Sequence, residues 1–270
     1  MVRFSIRSLL LLGIVSAAPA LAQQQDRAID RSKPLGLSFT TGADYSVGDY
    51  GAAANTKILL VPFSLRATTG RLRLSATLPW LRIDGPGYIV GGAEGGPIVI
   101  DPNSPAPRTV RSGIGDVTFG ATYGLLQQDK AGIDLDIGAR VKLPTASRSK
   151  GLSTGKTDVS VSADISRSFG NVTPFVTLGY RMPGDPAGFD LKNSASVSVG
   201  SSFVAGKSVV IVSYDYSGRT SAFSDPSHSL FGALAVPVTK RITLTGYGTA
   251  GLSNGAPDYG VGMLLTLKAL

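Results

Sequence analysis

The sequence predicts an all-β protein: a transmembrane, antiparallel, up-and-down β-barrel of about 12 strands, preceded by a cleaved signal peptide. Three observations support this prediction. Short segments with alternating apolar and polar side chains recur from about residue 35 onward, the connections between them alternate between short and long, and the N-terminus resembles a secretory signal. The alternation indicates strands because successive strand side chains face opposite sides of a sheet.

The N-terminal segment indicates the compartment. Arg3 and Arg7 precede the apolar stretch Leu9 to Val15, and Ala20-Leu21-Ala22 then provides a small-x-small cleavage site. This pattern predicts a signal peptide over residues 1–22 and an outer-membrane barrel over residues 23–270. Outside the signal, no apolar run approaches the roughly 18 residues that a membrane helix needs. The predicted location is therefore the cell outer membrane, reached by secretion across the inner membrane.

The strands are predicted in order from their alternating apolar faces. The clearest is the fifth, in which Ile133, Leu135 and Ile137 face one side while Asp134, Asp136 and Gly138 face the other. The apolar residues that define the strands are, in chain order, Leu35 to Phe39, Leu59 to Leu65, Leu72 to Trp80, Val117 to Tyr123, Ile133 to Leu143, Val159 to Ile165, Val172 to Tyr180, Ala195 to Phe203, Val210 to Tyr216, Leu230 to Val236, Ile242 with Leu244, and Val261 to Leu267.

The connections predict the orientation. Short turns are expected at Thr69-Gly70, Gln127 to Ala131, Gly170-Asn171, Ala205-Gly206 and Thr239-Lys240. Longer connections fall between them, the longest being Asp84 to Val110. Outer-membrane barrels have short periplasmic turns and longer extracellular loops. We therefore expect Asp84 to Val110 to be extracellular, Gln127 to Ala131 to be periplasmic, and the loop containing Gly85 to Gly96 to narrow the channel.

The composition excludes several classes of protein. Cysteine is absent, so no disulfide stabilises the fold, and charged residues make up only 16% of the chain. The net charge of +8 is spread along the sequence and not clustered on one element, which argues against a nucleic-acid partner. A soluble periplasmic β-sandwich remains the alternative fold, because it would also alternate along each strand while burying its apolar face.

Charged residues on the predicted inner face are the candidate lumen-lining or transport residues. They are Arg66, Arg73, Asp116, Asp134, Asp136, Arg140, Lys142, Asp158, Asp164, Arg181 and Asp215. Charges in a narrow lumen can select a permeating solute, or they can brace the wall through ion pairs. Both signs are present, so the two roles stay open at this point.

Three motifs resemble a known family. They are Gly113-Ile114-Gly115-Asp116-Val117-Thr118, Lys142-Leu143-Pro144-Thr145, and Gly151 followed by Ser153-Thr154-Gly155-Lys156-Thr157-Asp158. Together they resemble the outer-membrane family named for the meta-pathway of phenol degradation (MetA-like), and the resemblance is strongest from Gly113 to Tyr216. Membership would imply passage of small, often aromatic or apolar, compounds across the outer membrane.

Enzyme and metal sites find little support in the sequence. The segment Gly151 to Thr157 imitates a phosphate-binding loop but has one residue too few between its glycines and lies between strands. The single histidine, His228, is flanked by Ser227 and Ser229, so an outer-membrane lipase is a minor alternative. Neighbouring strand residues face opposite sides, which argues against that pairing. No spacing suggests a metal site, and no cofactor is expected.

The sequence therefore predicts a passive outer-membrane channel for small organic solutes that are aromatic or hydrophobic, and not an enzyme. The alternative is a non-conducting structural or surface-interaction barrel. Small inward residues such as Gly138, Ser162 and Gly179 favour an open lumen. The expected partners are membrane lipid, lipopolysaccharide, the barrel-assembly machinery and the solutes.

Overall fold

The computed structural model describes residues 35–50, 54–92, 97–100 and 107–269. The predicted signal peptide, residues 1–22, lies outside them. The strands are β1 (Gly36–Gly48), β2 (Thr56–Thr69), β3 (Leu72–Pro86), β4 (Ile89–Gly91), β5 (Pro97–Val99), β6 (Arg108–Ile114), β7 (Val117–Leu126), β8 (Asp134–Leu143), β9 (Asp158–Ser166), β10 (Val172–Met182), β11 (Ser194–Ala205), β12 (Ser208–Ser217), β13 (Ser227–Pro237), β14 (Ile242–Gly251) and β15 (Tyr259–Lys268). One helical turn, α1 (Gln128–Ala131), lies between β7 and β8.

All of these strands except β4 and β5, which pair with each other, form one closed antiparallel barrel. From β7 to β15 each strand pairs with the next along the chain, β15 pairs back onto β1, β1 pairs with β2, and β2 pairs with β3. The long strand β3 pairs with β7 along its first half and with β6 along its second half. Strands β6 and β7 therefore act as one wall strand interrupted at Gly115-Asp116, where the Gly115 N–H donates to the carbonyl of Pro79 at 2.7 Å. The predicted 12-stranded barrel is confirmed.

The outer face of the barrel is apolar, as the alternating pattern predicts. Leu65, Leu74, Ile137, Leu230 and Met263 lie on different strands and are all exposed, Met263 to 57%. A protein that leaves such a surface around its whole circumference needs lipid to cover it. The soluble-sandwich alternative is therefore wrong, because that fold would bury these residues between two sheets. Among the described residues, no helix is long and apolar enough to cross a membrane.

The connections alternate between short and long as predicted, but the longest connection begins later and ends earlier than the sequence predicted. At the end of the barrel that we call the short-turn end, Gly70 and Gly206 have φ values of 53° and 62°, which a glycine adopts without a side-chain clash. The opposite end, the long-loop end, carries the longer connections. Asp84 and Val110 are not loop residues, because β3 continues to Pro86 and β6 begins at Arg108. Their backbones pair across the two strands and so extend the wall.

Candidate functional site

A β-hairpin inside the longest loop packs against the inner wall at the long-loop end. Strands β4 and β5 form this hairpin, with Ile89 paired to Val99. These two residues join an apolar group that we call the mouth cluster, together with Tyr50, Ile58, Leu60, Leu81, Ile83 and Leu152. The predicted loop therefore does enter the barrel mouth, although its residues Ala93 to Gly96 lie outside the described ranges.

The other face of the hairpin packs against a different part of the barrel. Val90 and Ile98 contact Leu191, which lies in the connection between β10 and β11. The hairpin backbone is also tied to the connection between β8 and β9, because the Gly91 N–H donates to the Gly151 carbonyl at 3.2 Å. The hairpin thus lies across the long-loop end between opposing pieces of wall and loop. It narrows the mouth with apolar side chains.

Tyr50 completes the mouth cluster without adding charge. Its hydroxyl donates to Ser46 Oγ at 3.3 Å, and its side chain is buried. Burial raises the pKa of Tyr50 to about 12, so the phenol stays protonated at neutral pH. The mouth cluster therefore presents an uncharged surface toward the lumen.

A second apolar group, which we call the lower cluster, lines the opposite side of the lumen. It contains Phe175, Ile211, Phe231, Ala233 and Leu264, with Tyr247 packed against it. Three of its bulky side chains sit directly across from a glycine on the next strand: Phe175 pairs with Gly200, Tyr247 with Gly262, and Leu264 with Gly42. A Cβ at any of these glycines would overlap the facing side chain. The glycines therefore let these side chains lie against the wall.

We expect Gly262→Ala to destabilise the barrel by about 1 to 3 kcal/mol, because the new methyl group occupies the space of the Tyr247 ring. The displaced ring would also lose its 2.9 Å hydrogen bond to Asp44 and project into the lumen. Urea unfolding in lipid vesicles and single-channel conductance measure the two effects. Gly246→Ala is the matched control, since a Cβ there meets nothing within 4 Å. Equal stability and conductance of the two variants would contradict the steric argument.

A cavity of about 220 Å³ with a mixed polar and apolar lining, which we call the chamber, lies inside the barrel on the long-loop side. Pro97, Val99 and Tyr50 form an apolar roof over it. Of the sequence-predicted candidates, Arg140, Lys142, Asp158 and Arg181 line it. The predicted small inward residues Gly138, Ser162 and Gly179 line it as well, together with Ser160 and Ser196, and these small side chains account for its space.

Lys142 is the centre of a buried ion cluster at the chamber wall. Its Nζ lies 3.0 Å from Asp116 Oδ2 and 3.3 Å from Asp158 Oδ2, and it donates to Thr154 Oγ1 at 3.3 Å. Its side chain is only 1% exposed. Asp116 also accepts hydrogen bonds from Ser153 Oγ and the Ala146 N–H. The cluster thereby fastens the β8–β9 connection to the wall.

The remaining candidates face the lumen but do not line the chamber. Arg73 forms an ion pair with Asp136 at 2.7 Å. Asp164 accepts a hydrogen bond from Thr177 Oγ1, and Asp215 accepts one from Ser198 Oγ. Asp134 lies at the short-turn end, where its Oδ1 accepts the Gln128 N–H, and Arg66 is buried near the same end on β2. These contacts fit the wall-bracing role left open by the sequence.

His228 lies on the outer face, where its Nδ1 is 2.5 Å from the Tyr214 hydroxyl. Its ring also packs at 5.0 Å, centroid to centroid, from Tyr216. The flanking Ser229 is buried, and Ser227 lines the chamber, so both face the lumen. Neither serine can be activated by this imidazole without leaving its strand, as the sequence argument anticipated.

The inward apolar residues of both clusters were not predicted from the sequence. The signal was present in β2, where Ile58, Leu59, Leu60 and Val61 place apolar side chains on both faces of the strand. It was also present in Phe175, Ile211 and Leu264, large apolar residues at positions that the period of two places on the inner face. The inner face was identified from its charged residues alone, so large apolar residues were not expected on it.

The sequence of the chain was compared with known families. Residues 39–269 match the family described as "Putative MetA-pathway of phenol degradation". The chain belongs to this family. The resemblance noted around Gly113 to Asp158 is thereby confirmed and extends over nearly all of the barrel. No curated protein matches the chain by sequence.

Several solved structures superpose on this chain. The COG4313 outer membrane channel from Pseudomonas putida F1 superposes with a TM-score of 0.63 at 14% identity, over 87% of this chain and 96% of that chain. The CymD monoaromatic hydrocarbon channel gives a TM-score of 0.42 at 12% identity, over 88% of each chain. Outer membrane phospholipase A from Escherichia coli gives 0.40 at 11% identity, over 87% of this chain and 92% of that chain. The first of these supports an outer-membrane barrel fold.

Proposed function

We propose that the protein is a passive outer-membrane channel for small organic solutes with aromatic or otherwise apolar bodies, and not an enzyme. The observation that carries the proposal is the chamber, a cavity of about 220 Å³ inside the barrel that is roofed by apolar residues. A barrel whose lumen was filled by its own side chains would leave no such space. Membership in a family named for phenol degradation and the fold shared with an outer-membrane channel support the same proposal.

The proposed orientation places the long loops outside the cell and the short turns in the periplasm, following the rule for outer-membrane barrels. A solute would then meet the mouth cluster before it reaches the chamber and the lower cluster. In this arrangement residues 1–22 act as a signal peptide, the barrel-assembly machinery inserts the folded chain, and lipopolysaccharide surrounds the long-loop end. These partners belong to the proposal.

The experiment that tests the channel function is single-channel recording on the purified protein. Uptake of phenol into phospholipid vesicles would be uninformative, because small apolar solutes cross such bilayers unaided. Block of ion current avoids this problem, since a solute inside the lumen interrupts the current whatever the lipid permeability. We expect a steady conductance in potassium chloride and brief, concentration-dependent interruptions when phenol is added, but none when glycerol is added.

Two negative results would have different meanings. A folded protein without any conductance would overturn the channel proposal and favour the non-conducting structural barrel. A conducting protein that phenol does not block would leave an ion-permeable barrel and overturn its selectivity for small organic solutes.

A further inference from the structure

Three cationic side chains line the chamber, and they differ in the contacts that they make with other residues of the wall. Lys142 already meets two carboxylates, and Arg140 has interactions of its own with the described residues. Arg181, on the neighbouring part of the wall in β10, forms one ion pair with the described residues, and that contact is long: its Nη2 lies 3.7 Å from Asp158 Oδ2. Asp158 is shared, because its Oδ2 also faces Lys142 and its Oδ1 accepts the Gly184 N–H.

The Arg181 guanidinium keeps hydrogen-bonding capacity that the wall does not use. Its Nε and Nη2 are buried, and among the described residues neither has a hydrogen-bond partner. These two nitrogens lie on the same edge of the guanidinium, and their N–H groups point in parallel. Such an edge matches the two oxygens of a carboxylate, which accepts both hydrogen bonds at once. Buried donors left unpaired are costly, so an incoming carboxylate would relieve a cost already present.

The rest of the chamber lining can hold the apolar part of a solute whose carboxylate binds Arg181. Its apolar roof, formed by Tyr50, Pro97 and Val99, can contact a ring. At about 220 Å³ the chamber is smaller than the pockets of about 300 to 1,000 Å³ that hold drug-sized ligands, which limits the body to roughly one ring. The hydroxyls of Ser196 on the adjacent strand β11, Ser217 on β12 and Ser227 on β13 also line the chamber and can complete the hydrogen bonds of a polar head.

We propose that the chamber is a binding site for small aromatic carboxylates, with the Nε and Nη2 of Arg181 holding the carboxylate and the roof contacting the ring. This inference rests on the proposed channel function and names the solute class that the lumen selects. The Nη2 end of the edge lies toward Asp158, and a quarter of the Arg181 side chain is exposed. Rotation of the guanidinium away from Asp158 would present the edge to the solute, and Asp158 would keep its contacts with Lys142 Nζ and the Gly184 N–H.

Benzoate is the probe, compared with benzyl alcohol, which has the ring without the charge, and with inorganic phosphate, which has the charge without the ring. Binding to the detergent-purified barrel is measured by isothermal titration calorimetry, and current block is measured in bilayers at both voltage polarities. We expect benzoate to bind and block at concentrations at least about tenfold lower than either of the other probes. We expect Arg181→Gln to remove this preference and Arg181→Lys to restore only part of it, because lysine keeps the charge but not the paired donors.

Lys207→Gln is the matched control, since it removes one positive charge from an exposed turn at the short-turn end and should leave benzoate binding unchanged. Heat-modifiable migration verifies that each variant is folded. Equal binding of benzoate and benzyl alcohol, or an Arg181→Gln variant that binds benzoate like the wild type, would overturn the inference. Phosphate binding as tight as that of benzoate would overturn it too. Calorimetry detects binding whether or not the protein conducts. A non-conducting protein that binds benzoate through Arg181 would overturn the channel proposal and support the binding site.

Discussion

Replacing Lys142 with methionine is expected to lower the free energy of unfolding of the barrel by about 3 to 5 kcal/mol, which makes it one of the most damaging single changes available in the wall. Methionine has a similar length and no charge, so Asp116 and Asp158 would lose the cation that lies 3.0 and 3.3 Å from them. Both carboxylates are nearly inaccessible to water, and an unbalanced buried charge is far costlier than a lost surface ion pair.

Urea titration of the protein in lipid vesicles measures this effect. The single tryptophan, Trp80, belongs to the apolar outward face of β3 and reports the loss of the lipid environment through its fluorescence. Lys150→Met is the control, because Lys150 is exposed in the β8–β9 connection. The double variant Lys142→Met with Asp116→Asn should recover part of the loss, since one of the two uncompensated charges is removed. An unfolding curve of Lys142→Met that superposes on that of Lys150→Met would show that the cluster does not stabilise the barrel.

The faces of the barrel strands could be predicted from the sequence because a strand has a period of two. In β8, Ile137 and Val141 face outward while Asp136, Arg140 and Lys142 face the lumen, as the alternation indicates. The strand pattern alone also fitted a soluble sandwich, so the closure into a barrel was predicted from the alternation of short and long connections.

The ion cluster could not be predicted, because it depends on strand register. Lys142 meets Asp158 since the two residues are direct partners in the β8–β9 pairing. It meets Asp116 because the interruption between β6 and β7 turns that carboxylate toward β8. A shift of two residues would keep every side chain on its predicted face and yet separate all three groups. The sequence therefore identified candidates without identifying their partners.

The hairpin β4–β5 escaped prediction for a different reason. Each of its strands has three residues, which is too short for alternation to stand out, and the surrounding loop is rich in glycine. Its stability comes from burial of Ile89, Val90, Ile98 and Val99 against distant parts of the barrel. Tertiary packing of this kind leaves no local signal in the sequence.

Replacing Ile137 with arginine is expected to reduce assembly and to cost roughly 2 to 4 kcal/mol, because the side chain points outward near the middle of a wall strand. Ile137 is 45% exposed on β8, where it is flanked by Tyr123 of β7 and Ala163 of β9 on the same lipid-facing surface. Leu252→Arg is the matched control. Leu252 is also exposed, at 56%, but it follows the end of β14 at the long-loop end, where an arginine can reach water.

The yield of heat-modifiable folded protein and the urea midpoint in lipid vesicles should both fall for Ile137→Arg and stay near wild type for Leu252→Arg. Each variant exchanges a branched aliphatic side chain for arginine. A difference in yield or midpoint between them therefore reports where the arginine lies relative to the bilayer and not the chemistry of the substitution. Equal yields and midpoints would mean that the surface around Ile137 does not face hydrocarbon. The apolar outer face of the barrel would then not be the surface that contacts the membrane. The proposal that the inner face lines a channel depends on this assignment and would have to be abandoned.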